Sequence, residues 1–595
     1  MRRPLCVFCV GTLGVELVCA FLPQTGLLLP FAAFFVPALL WLLFGKNSRG
    51  YGVCLLLGAL AGLLLTAHTR QKLDRVHTAY ADRGVTLTAE VEEVSASYYP
   101  GVVHAVLRVE PTDGEKTVFR VECVCMPKCT AGERVQARFA LEVPARTQQL
   151  SSYADGIALS GEYLSGMKHL GPSESFRAKT ARLQRRLSAA LRRGMAQGPA
   201  GVLAAMVLGD RTHLSKDLRS AYRAAGLSHV LVVSGMHVSI LCGSVFAKYL
   251  PEKKKRERGY ASRRRQALFS AAMALLLAGV TGLTPSVLRA ATAVWVSALG
   301  VWVYGPPDAL TSLGVAGVWM TLGNSYAVCD IGFELSFAAV LGTLAGAELA
   351  RKSRRFPLLR NSVWETLCVS ACASAATFPV LVLRGLSASL YALVSSVAVL
   401  WLVEPVLQLG LATALLGCWP ALAPLHRVCS LCAATLAGCL NRWALWVSGW
   451  PGAQIYFDTA CAALVCLLLL GLGWLAYHWR VRPRVALPCL VLTAALAIGL
   501  GNVLNREIVR VELAGSRNAP AVVITRGESA VVLFRGGSST QQAVETLLTR
   551  RGAREVEMLV DLRMNPRTPC TLEARERMAA DEMPRYTTRR AHSSP

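Results

Sequence analysis

Apolar runs long enough to cross a lipid bilayer recur along most of this 595-residue chain. A hydrocarbon core about 30 Å thick needs roughly 20 apolar residues in a helix, and 53% of the residues here are hydrophobic. The sequence therefore predicts a polytopic α-helical membrane protein with about 13 spans. The predicted spans are residues 5–21, 27–44, 51–67, 227–249, 266–283, 286–304, 308–323, 332–350, 362–383, 388–417, 425–449, 457–478 and 484–503.

The ends of this series need interpretation. Met1-Arg2-Arg3 before an apolar run is typical of a signal peptide, but Glu16 inside the run favours a retained helix. The run 388–417 is long, and Glu404-Pro405 is expected to interrupt it.

The net charge of +26 is explained in part by membrane topology. Lys and Arg cluster at 253–265, 351–360 and 480–484, and cytoplasmic loops carry such an excess. Placing these loops inside puts the N-terminus inside, and residues 68–226 and the tail after 503 outside. The expected location is the cytoplasmic (inner) membrane.

Most of the 19 cysteines lie in the apolar runs, whereas Cys123, Cys125 and Cys129 cluster on the predicted outer side. One disulfide plus a spare thiol is expected there. A metal site is the less favoured alternative, because no fourth ligand is nearby.

Residues 84–165 have the alternating pattern of short strands, at 85–94, 102–110, 117–125, 133–143 and 156–164. Five strands in about 80 residues favour a small, OB-fold-like β-barrel. Tyr98, Tyr99 and Phe119 are candidates to stack on the bases of a single strand. The alternative is that these rings only pack, since the strands carry as many acids as bases.

Residues 174–195 predict one amphipathic helix with Phe176, Leu183, Leu187 and Leu191 on its apolar face. Two functions remain open for its basic face: a guide for phosphates, or a contact with anionic membrane lipids. The candidate contacts are Arg182, Arg185, Arg186 and Arg192.

Residues 202–243 combine an apolar helix, a polar turn and a short helix with a polar membrane segment. Ser215 is the expected N-cap of the short helix, Leu218, Tyr222 and Ala225 its packing face, and Gly226 its end. The span then begins, with His229, Val233 and His237 on one helical face. Gly235 can allow a break or a close helix approach. Unpartnered polar groups in hydrocarbon are costly, so water or a polar cargo is expected beside them.

The run Gly226-Leu227-x-His229, followed by Ser234-Gly235-x-His237, resembles the signature of the ComEC competence family, the inner-membrane channels for transforming DNA. "TGLTPSVLRA" (281–290), "GFELSFAAVLGTL" (332–344) and "ATFPVLVLRGLSASLYALVSS" (376–396) follow in the family's order. The resemblance covers roughly residues 30–500. Ser396 stands where the family often has Asn.

The C-terminal region resembles a shortened member of another fold. Residues 506–562 look like the opening strands and helix of the metallo-β-lactamase-like domain that ends many ComEC proteins. The His-rich metal cluster is missing, and His592 is the only histidine in this tail. We therefore expect a degenerate remnant without metal-dependent nuclease activity, and neither a metal nor a cofactor.

The resemblance implies transport of single-stranded DNA across the cytoplasmic membrane in natural transformation. Intramembrane ionisable residues are the default candidates for the pathway, although helix-to-helix contacts would explain each of them as well. Arg289 and Arg384 are candidates to meet phosphates, and Glu334 and Glu404 are expected to pair with Arg or His. The candidate pathway residues are Gly209, Asp210, Arg211, His229, Ser234, Gly235, His237, Arg289, Glu334, Ser336, Arg384, Ser396 and Glu404.

No phosphate-binding loop is encoded, so ATP hydrolysis is not expected. A cytosolic helicase-type motor or single-strand-binding protein, and a DNA receptor outside, are the expected partners. The sequence allows a homodimer without requiring one.

Three other interpretations remain open. An exporter or flippase of another anionic polymer or lipid fits the same spans. An intramembrane hydrolase would use Ser234 as nucleophile and His237 as base, but no Gly-x-Ser-x-Gly elbow is present. The shortened tail also fits a decaying gene that no longer supports uptake.

The expected domains follow these changes in composition. Residues 1–67 are N-terminal membrane helices, 68–170 the outer barrel, and 171–226 the basic and juxtamembrane helices. Residues 227–503 form the channel domain, and 504–595 the small α/β C-terminal remnant.

Overall fold

The structure is a computed structural model. It describes residues 3–21, 33–39, 41, 49–96, 102–110, 118–145, 148–233, 237–238, 240, 260–281, 285–303, 308–352, 361–450, 453–454, 508–516, 519–527, 529–551, 553, 555–563, 572 and 574–579. The chain divides into two compact units, residues 1–377 with 389–453, and residues 378–388 with 454–595.

Helices dominate the first unit. They are α1 Pro4–Phe21, α2 Arg49–Tyr80, α3 Gln149–Ala154, α4 Phe176–Arg192, α5 Gln197–Leu203, α6 Lys216–Ala224, α7 Tyr260–Val280, α8 Pro285–Trp302, α9 Ala309–Thr321, α10 Ile331–Lys352, α11 Asn361–Leu383, α12 Ala392–Leu416 and α13 Ala423–Ser448. A short 3₁₀ helix, Ser325–Cys329, joins α9 to α10, and α11 runs on into the second unit.

Six helices within the described ranges are long and apolar enough to cross a membrane. These are Pro4–Phe21, Arg49–Tyr80, Ile331–Arg351, Trp364–Leu383, Ala392–Leu416 and Pro420–Ser448. The expected spans 457–478 and 484–503, and most of 27–44, lie outside the described residues. The larger count of about 13 spans therefore stays a prediction.

The expected interruption at Glu404-Pro405 is wrong. Helix α12 continues through Pro405, and α11 likewise contains Pro379. Membrane helices tolerate proline because neighbouring groups and small backbone adjustments satisfy the freed backbone carbonyl.

Helices α1 and α2 approach closely because glycines line their contact. A Cβ atom at Gly58 would clash with the Phe8 carbonyl, and one at Gly62 would lie 2.5 Å from the Thr12 carbonyl oxygen. Gly58 and Gly62 form a Gly-x-x-x-Gly pair, in which small residues let two helix backbones pack together. Gly11 does the same from α1, where an added Cβ would lie 2.7 Å from the Leu55 carbonyl oxygen.

Five strands form a closed barrel between α2 and α4: β1 Arg83–Ala96, β2 Val102–Val109, β3 Phe119–Pro127, β4 Glu133–Glu142 and β5 Ile157–Pro172. Their order is β1-β2-β3-β5-β4, and β1 pairs with β4 to close the barrel. The β3–β5 pair is parallel, whereas the other pairs are antiparallel. Inward residues at every second position, such as Leu107, Val121 and Phe139, fill the core.

Buried carboxylates fasten α4 to the barrel. Glu90 is 4% exposed and accepts hydrogen bonds from Ser173 Oγ at 3.1 Å and Ser175 Oγ at 2.6 Å. Ser175 is also the N-cap of α4 and accepts from the Ala178 amide. Glu92 pairs with Arg177 of α4 at 2.7 Å. The first turn of α4 is therefore tied to strand β1 by polar contacts.

The second unit contains a five-stranded sheet: β6 Val509–Ser516, β7 Ala519–Arg526, β8 Ser529–Phe534, β9 Glu555–Asp561 and β10 Glu576–Ala579. The strands lie in sequence order, and the β8–β9 and β9–β10 pairs are parallel. Helix α14, Ser538–Arg551, connects β8 to β9, and its Val544 and Leu548 join the core of the sheet. Strands and a helix thus form where the sequence predicts them, and their kinship with the metallo-β-lactamase fold stays a prediction.

We predict that Gly58→Val destabilises the protein because the new side chain forces α1 and α2 apart. Overpacking of this kind costs about 1–3 kcal/mol. Gly50→Ala is the matched control in the same helix, since nothing lies within 4 Å of a Cβ there. Thermal unfolding of the full chain in detergent measures both, and equal midpoints for the two variants would show that the helices do not need this close contact.

Candidate functional site

The segment from 197 to 226 folds as two short helices around a polar turn. Helix α5 continues as a π-helix, Ala204–Leu208, and ends at Gly209, whose φ of 73° lies in the left-handed region. Gln184 of α4 donates from Nε2 to the Leu208 carbonyl at 2.6 Å and to the Thr281 carbonyl at 3.3 Å. The Leu208 carbonyl at the end of the π-helix is thus hydrogen-bonded by a side chain from another helix.

Asp210 organises the polar turn after Gly209. Its carboxylate accepts hydrogen bonds from Ser188 Oγ at 2.5 Å, from the Thr212 amide at 3.1 Å and from the Thr212 hydroxyl. Burial alone would raise the pKa of Asp210, but these hydrogen bonds outweigh it and lower the pKa below its ordinary value. Asp210 is therefore a positioning residue that holds the turn to α4.

Helix α6 has the caps and the packing face that the sequence predicts. Ser215 caps its start by accepting from the Leu218 amide at 3.3 Å. Leu218, Tyr222 and Ala225 are buried. The Tyr222 hydroxyl donates to Asn441 Oδ1 of α13 at 2.9 Å, within the core. Contact with a second membrane helix therefore fixes the rotation of α6 about its axis.

Gly226 ends α6 with a φ of 74°, as expected for a helix-terminating glycine. A Cβ atom there would clash with Ala392 at the start of α12. The Ser389 hydroxyl also donates to the Ala224 carbonyl at 2.6 Å. The end of α6 is thus held against the start of α12.

The predicted helical span at 227–249 is wrong for residues 227–233, which form turns. The chain reverses here because the Leu227 amide bonds to the Tyr222 carbonyl at 2.8 Å, and the Val230 amide to the Leu227 carbonyl at 2.9 Å. Ser286 of α8 donates to the Val233 carbonyl at 2.8 Å. His229, Val233 and His237 therefore do not share one helical face.

Residues 227–233 have buried apolar side chains and two exposed polar ones. Leu227, Val230 and Val233 are buried in the main core. Ser228 and His229 are exposed to solvent, although protein atoms surround His229 densely. His229 is therefore accessible to solvent although protein atoms crowd around it.

His237 lies in a different environment from His229. It is fully buried, and its ring is hydrogen-bonded to the Val232 backbone. Ser234 and Gly235 lie outside the described residues, so the proposed Ser234–His237 pair stays a prediction.

The buried cation Arg289 pairs with an acid that the sequence analysis missed. Arg289 of α8 is 7% exposed, and its Nη1 lies 3.6 Å from Asp330 Oδ2. Asp330 also caps α10 by accepting from the Gly332 amide at 3.2 Å and the Phe333 amide at 2.9 Å. Glu334, which the sequence suggests as a partner for Arg or His, lies one turn further on. A search for N-cap residues before apolar helices would have found Asp330.

The other predicted pathway residues are dispersed. Ser396 is 6% exposed and donates to the Ala392 carbonyl of its own helix at 2.7 Å. Glu404 is half-buried and lies 3.4 Å from Gln408 Nε2. Glu334 and Ser336 are half-buried on α10, and Arg384 follows α11 in the second unit. Among the described candidates, Gly209, Asp210 and Arg211 share one turn, and His229 is an electrostatic neighbour of His237.

Phe119 is not a stacking platform. It is 5% exposed and packs inside the barrel against Tyr80, with ring centroids 4.9 Å apart. Phe119 is therefore on the inward face of β3 rather than the outward one. Tyr98 and Tyr99 lie outside the described residues.

Most of the predicted outer arginines are engaged with backbone carbonyls. Arg182 donates to Ser173 at 2.9 Å, Arg185 to Ala131 at 2.7 Å, and Arg192 to Ser188 of its own helix at 3.2 Å. Arg186 is exposed. These contacts give Arg182 and Arg185 a structural role between α4 and the barrel.

The apolar face of α4 differs in part from the predicted one. Leu187 and Leu191 are buried, whereas Phe176 is 68% exposed and Leu183 43% exposed. The helix buries Ala178, Thr180 and Ser188 instead, because the barrel and α5 approach it from a different side.

The outer cysteines are free where the structure describes them. Cys123 and Cys129 are both buried thiols, so no disulfide joins them. Burial, with a smaller effect of the neighbouring Cys129, raises the pKa of Cys123 to about 12. Cys123 is part of the barrel core, where a thiol packs as a small apolar group. Only the backbone of Cys125 is described.

No group of three or more possible metal ligands occurs among the described residues. The polar groups described above are joined by hydrogen bonds and ion pairs within the protein.

Four carboxylates meet where the barrel reaches the 3₁₀ helix 325–329. Asp155 is exposed but partly enclosed by protein, and Asp330, Glu122 and Glu93 are its acidic neighbours. Burial and then these charges raise the pKa of Asp155 to about 6, despite the opposing effect of Arg120. Asn324 Nδ2 donates to the Tyr153 carbonyl at 2.6 Å in the same junction.

We predict that Asp155→Asn raises the unfolding midpoint by a few degrees at pH 8 and has little effect at pH 4. The raised pKa means that Asp155 contributes stability below its ordinary pKa of 3.8, which is lost as the pH rises through about 6. Thermal unfolding across this pH range measures the difference. Glu142→Gln, an exposed change on the same barrel, is the control, and a gain for Asp155→Asn that does not depend on pH would contradict the explanation.

Comparison with known proteins agrees with the resemblance of the central motif. Residues 206–482 match the Competence family, described as "Competence protein". The chain is 24% identical over 218 residues to "ComE operon protein 3" of Bacillus subtilis (strain 168). That match covers 37% of this chain and 26% of the relative, about a quarter of the relative's length. No solved structure gives a significant match.

The family match begins within the π-helix and includes the polar turn, α6 and the turn at 227–233. The structural features that set this segment apart therefore fall inside the matched region. With the order of the later motifs, the match supports the resemblance of residues 206–482 to the Competence family.

Proposed function

We propose that this chain carries single-stranded DNA across the cytoplasmic membrane during natural transformation. One observation carries the proposal: the family match coincides with a solvent-accessible turn inside the helical unit. The proposal is that of a channel or transporter rather than an enzyme.

The turn at 227–233 supports a hydrated pathway for physical reasons. Non-helical backbone at membrane depth is tolerated where it is buried in protein or lines a water-filled cavity. Leu227 and Val233 bury one side of the turn, and Ser228 and His229 leave the other exposed. Phosphates crossing a bilayer need water, donors or cations beside them, because bare charge in hydrocarbon is prohibitive.

The barrel is the proposed receiving module on the outer side. A closed five-stranded barrel with the order β1-β2-β3-β5-β4 supports an OB-like assignment, and OB-folds commonly bind single strands. Tyr98 and Tyr99 remain the proposed stacking residues, and the burial of Phe119 removes it from this role.

Directionality is proposed to come from partners. A helicase-type motor or a single-strand-binding protein in the cytosol would pull the strand, and a receptor outside would deliver it. The proposed orientation has the N-terminus inside and the C-terminal region outside. A chain without a phosphate-binding loop depends on such partners for energy.

The C-terminal unit is proposed to lack nuclease activity. We expect the purified full chain to leave labelled single-stranded DNA intact in the presence of Mn²⁺ or Zn²⁺, because the His-rich ligand set is missing from the sequence. Cleavage that a chelator abolishes would contradict this proposal.

We predict that Ser228→Trp blocks transport by filling the solvent-accessible space beside His229. Full-length protein in liposomes is given labelled single-stranded DNA outside and single-strand-binding protein inside, and protected label is counted. A loss of at least about tenfold is expected, since a bulky ring excludes water and phosphate from a narrow path.

Leu431→Trp is the matched control, because Leu431 is 67% exposed on the outer surface of α13. It should transport as the wild type does, and both variants should unfold at the wild-type temperature. Equal transport by Ser228→Trp and wild type would place the pathway elsewhere. Transport of a labelled anionic lipid, with no DNA uptake by the wild type, would favour a flippase instead.

A further inference from the structure

The arginines of the outer part differ in how their charge is compensated. On the barrel, Arg120 lies 2.6 Å from Glu92 and Arg134 lies 2.7 Å from Glu110. On α4, Arg182 and Arg185 donate to backbone carbonyls. These arginines have partners within the protein, and a passing strand would have to compete for them.

Helix α6 carries a row of exposed cations. Lys216, Arg219 and Arg223 are exposed and lie at i, i+3 and i+7, which places them in one stripe along the helix. Among the described residues, neither Arg219 nor Arg223 has an ion-pair partner. Like charges at i and i+4 destabilise an isolated helix, so this stripe is kept at a cost.

The position of the stripe is fixed by the opposite face of the helix. Leu218, Ala221 and Tyr222 are buried, and the Tyr222 hydroxyl is bonded to Asn441. The rotation of α6 is thereby set, and the three cations stay on the accessible side. Asp217, in the first turn, is the acidic residue of this helix.

Arg211 extends the stripe towards the barrel. It is exposed in the polar turn. Partial burial and the charge of Arg219 lower the pKa of the Arg211 guanidinium, and the carboxylate of Glu93 opposes this effect only in part. The neighbouring Asp210 is occupied by Ser188 and Thr212. The cationic row therefore begins near strand β1 and continues along α6.

The row ends at the accessible turn. Helix α6 is about 13 Å long, and Gly226 turns the chain directly into Ser228 and His229. Two arginines without an ion-pair partner among the described residues, Arg219 and Arg223, followed by exposed donors at Ser228 and His229, are suited to a chain of phosphates.

We propose that Arg211, Arg219 and Arg223 form a phosphate-binding track that leads single-stranded DNA from the barrel to the Ser228–His229 turn. This inference rests on the proposed function and adds the residues that bind the backbone of the strand. It assigns the contact to α6 and its preceding turn rather than to the arginines of α4.

The test compares two double variants that remove the same charge. The control pair lies on α4, where Arg186 and the C-cap residue Arg193 are both exposed. Full-length Arg219→Gln/Arg223→Gln and Arg186→Gln/Arg193→Gln are placed in nanodiscs of neutral lipid, and binding of a labelled oligodeoxythymidine is measured across a salt series. Loss of two phosphate contacts should make the slope of log K against log salt shallower by about 1.4, at about 0.7 per contact for single strands. We expect this change, with weaker binding at low salt, in the α6 variant only.

Arg219→Lys/Arg223→Lys keeps the charge and should keep the wild-type slope, which separates loss of phosphate contacts from loss of fold. An unchanged slope in the α6 glutamine variant, beside a wild type that binds DNA, overturns the track and leaves the proposed function standing. A shallower slope only in the α4 variant also overturns the track and leaves the proposed function standing.

A wild type that binds no single strand overturns the proposed function and the track together. In nanodiscs of anionic lipid, an α6 variant that loses lipid association while its DNA binding is unchanged would assign the cations to headgroups and overturn the track.

Discussion

The fold of the functional segment depends on one constraint: polar backbone inside an apolar helical unit must find its partners within the protein. The turn at 227–233 satisfies this constraint with few hydrogen bonds. The Tyr222 carbonyl accepts from the Leu227 amide, and Ser286 donates to the Val233 carbonyl. Once these partners are in place, the turn can leave helical geometry and expose Ser228 and His229 to solvent.

The same constraint explains the region before the turn. A π-helix leaves its end less regularly bonded than an α-helix, and Gln184 of α4 supplies donors to the carbonyls of Leu208 and Thr281. Asp210 then fastens the next residues to Ser188. Helix α4 therefore connects the barrel to the polar turn. It contacts Glu90 and Glu92 of the barrel at one end and Asp210 of the turn through Ser188.

Local patterns predicted local structure well and long-range partners poorly. Ser215, Asp217 and Gly226 mark the ends of α6 because caps depend on neighbouring residues. Asn441 and Asp330 were missed because a sequence does not show which distant side chain faces Tyr222 or Arg289. The sequence left stacking and packing of Phe119 both open, because its strand alternates only approximately and a shift of one residue reverses the face. The helical face predicted for 227–237 failed because apolar periodicity does not reveal a turn that tertiary bonds stabilise.

The hydrogen bond between Tyr222 and Asn441 joins residues 219 positions apart. A ribosome adding about 5–20 residues per second needs roughly 11–44 s to make the chain between them. Throughout that interval the tyrosine hydroxyl of a nascent chain lacks its native acceptor, so the segment before it cannot reach its final packing. Completion of this packing is thus timed by the synthesis of α13, and a chain released before residue 441 would hold the motif without the helix that orients it.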